Sequence, residues 1–308
     1  MEPHSRAFRF AISGFARTLA DWRDFARKAE DLGYSSLLIP DHFGSPFAPL
    51  PALIAAAAAT TRLRVGTLVF DNDFRHPAVL AKEAATADVM TDGRFELGIG
   101  AGWMASDYEK TGIPFEAASI RVNRLEETLT IVKAFFTGQP VTFCGKHYQI
   151  RDLDAVPRPV QQPRPPIMIG GTGKRMLSIA GREVDIVSIQ GHPDPPRNLW
   201  GAVPADYFAR QLDIVRSAAG PRYAGIEISV LADTYITDDR RSIADRLGRQ
   251  MGVEPEVVLG MPAVFTGSAE AVAEQLLERR ERYDISYPVI FSQMMDAMAP
   301  VVARLAGK

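Results

Sequence analysis

The sequence predicts an α/β fold, a TIM (β/α)8 barrel with insertion regions after strands 4 and 6. Three observations point there. Eight short apolar runs recur along 308 residues, and most are separated by segments with apolar residues at helical spacing. That alternation builds a parallel sheet. Polar, glycine-rich or aromatic residues follow the runs, as at the C-terminal rim of a barrel, where such folds keep their chemistry. The alternative is a Rossmann-like open sheet, but GFARTLADW after the first run lacks the G-x-G-x-x-G that fold would place there.

FRFAISG (8–14) is the first run, followed by a stripe of Leu19, Trp22, Phe25, Ala26, Ala29 and Leu32 that stops at Gly33. SSLLIP (35–40) is the second, with an alanine-rich helix near 50–60. RVGTLVF (64–70) is the third, and its helix opens at Pro77 with His76 in a capping position. FELGIGAG (95–102) is the fourth. A polar, irregular stretch follows, then a helix carrying Val122, Leu125, Leu129, Val132 and Phe136. VTFCGKHYQI (141–150) reads as an inserted hairpin. PPIMIGG (165–171) and VDIVSIQ (184–190) are the fifth and sixth runs, each followed by a helix, near 174–182 and 205–219. IEISVLADTYI (226–236) is the seventh and YPVIF (287–291) the eighth. Two helices are expected between them, the second capped by Ser268.

With 46% hydrophobic and 23% charged residues the composition is that of a globular protein. The formal net charge of −2 favours neither nucleic acid nor an anionic membrane as partner. Cys144 is the only cysteine, which excludes an intrachain disulfide and a cysteine-based metal site. No H-x-x-H or carboxylate cluster suggests a metal. The N-terminus lacks the apolar core of a signal peptide, and the most lipid-like stretch, LPALIAAAAATT, is too short to span a bilayer. The expectation is one cytoplasmic domain over 1–308, with no repeat or linker.

The barrel reading gives the residues past each run a meaning. Asp41 and His42 end the second run. The imidazole can donate a proton or hydrogen bond near neutral pH, or it can simply bond locally in its loop. Asp71, Asn72 and Asp73 follow the third run and can face water or substrate. Gly102 and Trp103 follow the fourth; the indole can be a flat surface at a cofactor or a packing residue. In IGGTGKRML, Gly170, Gly171, Thr172 and Gly173 lead straight into a helix N-terminus, which suits a phosphate but also suits a tight turn. Gln190 ends the sixth run. Asn72, Trp103 and Gln190 are the candidate substrate contacts. Glu109, Arg121 and Arg124 are expected on solvated or helix-capping faces. His147 and His192 have no evident partner.

The segments RVGTLVFDNDFRHPAVLAKEAATADVMTDGRFELGIGAGW, YEKTGIPF, RVNRLEETLTIVKAFFTG, PPIMIGGTGKRML and TGSAEAVAEQL, in that order, resemble the bacterial-luciferase-like superfamily of flavin and deazaflavin oxidoreductases. The resemblance implies a barrel with an insertion region, cofactor at the C-terminal rim, and frequently a homodimer. SLLIPDHF resembles the branch that uses coenzyme F420, a 5-deazaflavin. By that resemblance His42 is the hydrogen-bonding or proton-donating residue and Asp41 its neighbour at the ring. A bulged non-prolyl cis peptide falls at Leu68–Val69, behind the ring. Gly100 and Gly102 let the backbone approach the cofactor, and Gly170 to Gly173 hold its phosphate. The chain departs from the sugar-phosphate dehydrogenase of that branch. Trp103 stands where that enzyme has a glutamate, and Gly44, Ser45 and Pro46 stand where it has a tryptophan.

The expected function is therefore hydride transfer between F420 and a small organic substrate that need not be a sugar phosphate. An FMN-dependent monooxygenase using reduced flavin and oxygen is the second reading. A non-catalytic flavin- or deazaflavin-binding protein is the third. The rim loops at 103–119 and 191–203 are expected to shape the substrate pocket.

Overall fold

The computed structural model describes residues 6–191 and 199–308. Eight parallel strands are β1 (Ala11–Ser13), β2 (Ser36–Ile39), β3 (Arg64–Thr67), β4 (Phe95–Gly100), β5 (Ile167–Gly171), β6 (Ile186–Ile189), β7 (Glu227–Ile236) and β8 (Ile285–Phe291). They run in sequence order from β1 to β6, β6 pairs with β7, and β8 joins β7 to β1, so the sheet closes. The expected barrel is present. β1, β2, β4 and β6 are buried along their whole length, which is why they read as short continuous apolar runs instead of alternating ones.

The chain divides into two compact units, one of Met1–Gly14, Lys28–Leu38 and Gly170–Lys308, the other of Phe15–Arg27 and Ile39–Ile169. In the first, β1 aligns Ala11 with Val289 of β8 and with Ser36 of β2. The Tyr34 hydroxyl donates to the Met295 carbonyl at 2.9 Å, and burial raises its pKa above the ordinary tyrosine range. A strand the sequence reading missed, Val264–Gly267, extends the sheet beside the second half of β7. Its four residues are buried, but they lie in a stretch read as polar and helical. Ser268 caps the helix that follows, accepting from the Ala271 N–H at 3.2 Å.

In the second unit, Val65 of β3 pairs with Phe95 of β4, and Leu97 of β4 pairs with Ile167. After Thr67 the strand is interrupted at Leu68–Val69, a cis, non-prolyl peptide bond, and resumes as a second short pairing of Phe70–Asp71 with Ile99–Gly100. The Thr67 hydroxyl bridges this break, donating to the Gly98 carbonyl at 2.8 Å and accepting from its N–H at 3.1 Å. A Cβ at position 98 would overlap the Thr67 carbonyl, so only glycine fits there.

The helices of this unit are α1 (Leu19–Asp31, partly in the first), α2 (Pro49–Ala58), α3 (Pro77–Met90), α4 (Ala105–Thr111) and α5 (Ala118–Phe136). His76 caps α3, its Nδ1 accepting from the Ala78 N–H at 3.3 Å. α4 is absent from the sequence reading, which treated 103–119 as irregular. The expected hairpin is formed by Val141–Cys144 and Gln149–Leu153. Glu127 of α5 ties down its turn, accepting from the N–H groups of Lys146, His147 and Tyr148. In the first unit α6 (Lys174–Glu183) and α7 (Ala205–Ala219) follow β5 and β6 as expected. Most of the Pro-rich loop after β6, with His192, lies outside the described residues.

Candidate functional site

His42 lies three residues past the end of β2, where the strand has left the apolar interior. Its Nδ1 is 2.8 Å from Oδ2 of Asp107, a carboxylate 5% exposed in the first turn of α4. The half-exposed indole of Trp103 meets the imidazole nearly edge-on, with ring centroids 5.7 Å apart and planes at 84°.

Asp41 and His42 are not partners, although they adjoin in sequence. Asp41 turns inward to the Arg75 guanidinium, at 2.5 Å from Nη1 and 3.2 Å from Nη2. It also accepts from the Asp71 N–H at 3.1 Å. The ion pair ties the loop that carries His42 to the loop after β3.

Below lies a network of buried carboxylates. The Tyr108 hydroxyl reaches both oxygens of Asp71, at 2.9 and 2.8 Å, and Asp73 at 3.3 Å. Burial raises the Asp71 carboxyl to about 6, against hydrogen bonds from the Asp73 backbone and Tyr108 that pull it down. Burial and the facing Asp71 charge push the Tyr108 hydroxyl far above the ordinary tyrosine range. Arg124 neutralises Asp73 through Nε at 2.9 Å and Nη2 at 2.6 Å and also pairs with Glu116. Hydrogen bonds to those carboxylates raise its pKa. Arg121 is 7% exposed; it donates to the carbonyls of Ala101, Gly102 and Glu116 and lies over the Phe115 ring. Both arginines were expected on solvated or capping faces. Arg121 is buried instead and Arg124 half-buried, the first held by the carbonyls after β4 and the second by Asp73 and Glu116. Glu109 is exposed as expected.

Gly102 sits at φ +76, and a Cβ there would overlap the Tyr108 hydroxyl. The protein's own network therefore requires glycine, whatever else approaches. Asn72, a candidate substrate contact, is fully buried, its Nδ2 donating to Asp73 Oδ1 at 3.4 Å. The 3-10 turn Asn72–Phe74 holds the amide in the interior. Trp103 does face outward, together with exposed Phe43 and Phe115.

In the first unit, Gly170 and Gly171 end β5 and Gly173 precedes α6. No side chain caps α6, so its first N–H groups are left without that partner. A Cβ on Gly173 would meet nothing within 4 Å, whereas one on Gly171 would come within 3.3 Å of the Met176 side chain. The Thr172 carbonyl accepts from Gln211 at 3.2 Å, and the N–H of Gln190, just past β6, donates to the Gly171 carbonyl at 3.4 Å. Among the described residues no group of three or more His, Cys, Asp or Glu could hold a metal ion, and no helix is long and apolar enough to cross a membrane. Cys144 is a free, exposed thiol on the hairpin.

The barrel of parallel strands agrees with the luciferase-like family that the sequence resembles. The chain belongs to that family: residues 5–306 match the luciferase-like monooxygenase family. It is 32% identical to an F420-dependent glucose-6-phosphate dehydrogenase of Nakamurella multipartita over 274 residues, 85% of this chain and 77% of the relative. A dehydrogenase of the same name from Microbacterium testaceum is 36% identical, but over 52% of this chain, which spans about half of that relative's length. The F420-dependent tetrahydromethanopterin reductase of Methanopyrus kandleri shares the fold at a TM-score of 0.77 and 18% identity, over 98% of this chain and 99% of that one.

Proposed function

We propose that the protein is an F420-dependent oxidoreductase that moves a hydride between the deazaflavin and a small organic substrate. The observation that carries this is His42, positioned past β2 by the buried Asp107 and standing beside an exposed indole. Relatives named for F420 use support it, both by sequence and by fold. The bound deazaflavin would supply the two-electron chemistry. His42 and the backbone at Leu68–Val69, Gly100 and Gly102 are the residues we assign to the ring, with Asp41 as their support. Gly170, Gly171, Thr172 and Gly173 are assigned to the phosphate. The uncapped α6 N-terminus and the open space at Gly173 fit an anion there.

Trp103, exposed Phe43 and Gly44–Pro46 favour an organic substrate with an apolar surface over a sugar phosphate. A homodimer working in the cytoplasm is the matching assembly and location. FMN with oxygen chemistry is the second reading, since monooxygenases also share the fold, among them RslO1 of Streptomyces bottropensis at a TM-score of 0.72. Paired fluorescence titrations with F420 and FMN test the choice. Tight F420 binding with weak FMN binding is expected; the reverse order overturns the proposal in favour of monooxygenation. Binding of F420 without any hydride transfer across a panel of alcohols and carbonyl compounds would favour a non-catalytic carrier.

A further inference from the structure

We infer that Asp107 is the positioning residue for His42, fixing the tautomer and orientation of its ring so that Nε2 is the atom left for the reacting molecule. The inference rests on the reading of His42 as the site's hydrogen-bonding residue. A carboxylate oxygen accepts, so the Nδ1 facing it at 2.8 Å carries the proton and the neutral ring keeps its lone pair on Nε2.

The exposures point the same way. The His42 side chain is 27% accessible and that of Asp107 only 7%, so the carboxylate grips the ring from the interior and leaves the rest of it toward the surface. Trp103 closes a second side. Two contacts from two directions hold the imidazole as neither could alone.

Asp107 is itself held. It stands in the first turn of α4, its N–H donating to the Met104 carbonyl at 3.0 Å, while its own carbonyl accepts from the Thr111 hydroxyl at 2.7 Å. A helix of seven residues is not stable by itself. α4 is anchored by the next residue, Tyr108, whose hydroxyl is locked onto Asp71 and whose ring packs against Phe74 and Phe115. Adjacent residues of one short helix thus fix two loops, Asp107 the one after β2 and Tyr108 the one after β3. A ring donating from a fixed Nδ1 cannot turn over to exchange its two nitrogens without losing a buried hydrogen bond.

The test is nitrogen NMR of protein labelled with 15N-histidine, with the His42 signals assigned by their loss in His42→Gln. The neutral ring of the wild type is expected as the Nδ1–H tautomer. In Asp107→Ala most of the population is expected to move to Nε2–H, the form an unrestrained imidazole prefers. A purely structural role for Asp107 would leave the tautomer where it was, and that result overturns the inference. So does an Nε2–H ring in the wild type, a result that does not depend on Asp107→Ala folding. F420 titration of the same wild-type sample keeps the two claims apart. Absence of F420 binding would overturn the cofactor reading while the tautomer still decides the role of Asp107.

Discussion

Asp41 and Arg75 form a forked ion pair, with two guanidinium nitrogens on two carboxylate oxygens at 2.5 and 3.2 Å. Asp41 is 9% exposed, and the Arg75 guanidinium also lies over the Phe70 ring at 4.3 Å. The pair joins the loop after β2 to the one after β3. Its strength lies in what happens when one half is removed, because the other is then a charge without a partner in a desolvated place.

Arg75→Ala is therefore expected to destabilise the protein by about 3 kcal/mol. Removing Arg210, paired with Asp206 on the solvated face of α7, should cost far less, because water screens that pair. Urea unfolding of both variants checks the contrast, and equal losses would deny Asp41 its supporting role.

His42→Ala should behave in the opposite way. Loss of the imidazole is expected to slow hydride transfer to or from F420 by about 100-fold or more, the usual contribution of a placed acid or base. Stability should change little, since the side chain is partly exposed and fills no cavity in the core. A variant that keeps its rate in stopped-flow measurement of F420 absorbance would remove His42 from the chemistry.

The glycine turn offers a separation of binding from folding. Valine at 173 meets open space at an ordinary backbone φ of −71, so the fold should tolerate it within about 0.5 kcal/mol. If phosphate approaches the N-terminus of α6, Gly173→Val should weaken F420 binding at least tenfold by fluorescence titration. Gly171→Val is the poorer probe, because its side chain would press on Met176 and disturb the fold as well.

Two buried carboxyls predict how stability depends on pH. Burial raises Asp71 from 3.8 to about 6 and, in the first unit, Asp233 from 3.8 to about 7. The Asp233 carboxylate accepts from the Gly201 N–H at 2.7 Å, which opposes the shift without cancelling it. A carboxyl raised in the folded state binds more protons there than in the unfolded chain, so its contribution is full below pH 3.8 and lost as pH rises. Between pH 4 and 7 the two together should lower stability with rising pH, by at most about 1.4 kcal/mol per pH unit for each group. Asp233→Asn keeps an oxygen for Gly201 and should flatten the upper part of that slope. Thermal unfolding across the window reads it, and an unchanged slope would refute the assignment to Asp233.

The sequence by itself determined the barrel. Runs such as Leu37–Ile39 and Phe95–Gly100 are buried on both faces, so their apolar character survives without context. The helices that cover them show their stripe or their cap, as at His76 and Ser268. The glycine turn at 170–173 and the cis bond at Leu68–Val69 were placed by resemblance to a family whose pattern runs the length of the chain. Only the tertiary structure decided who faces whom. Arg121 and Arg124 look like surface residues in sequence, and Asp107 does not stand out at all, because a charged side chain carries no mark of the partner it will meet. Asp107 meets His42 across 65 positions, and Arg124 meets Asp73 across 51. Asp41 leaves its neighbour His42 for Arg75 for the same reason. Hydrophobic burial is read one residue at a time, whereas a desolvated charge exists only with its partner, and closing the chain on itself is what brings the two together.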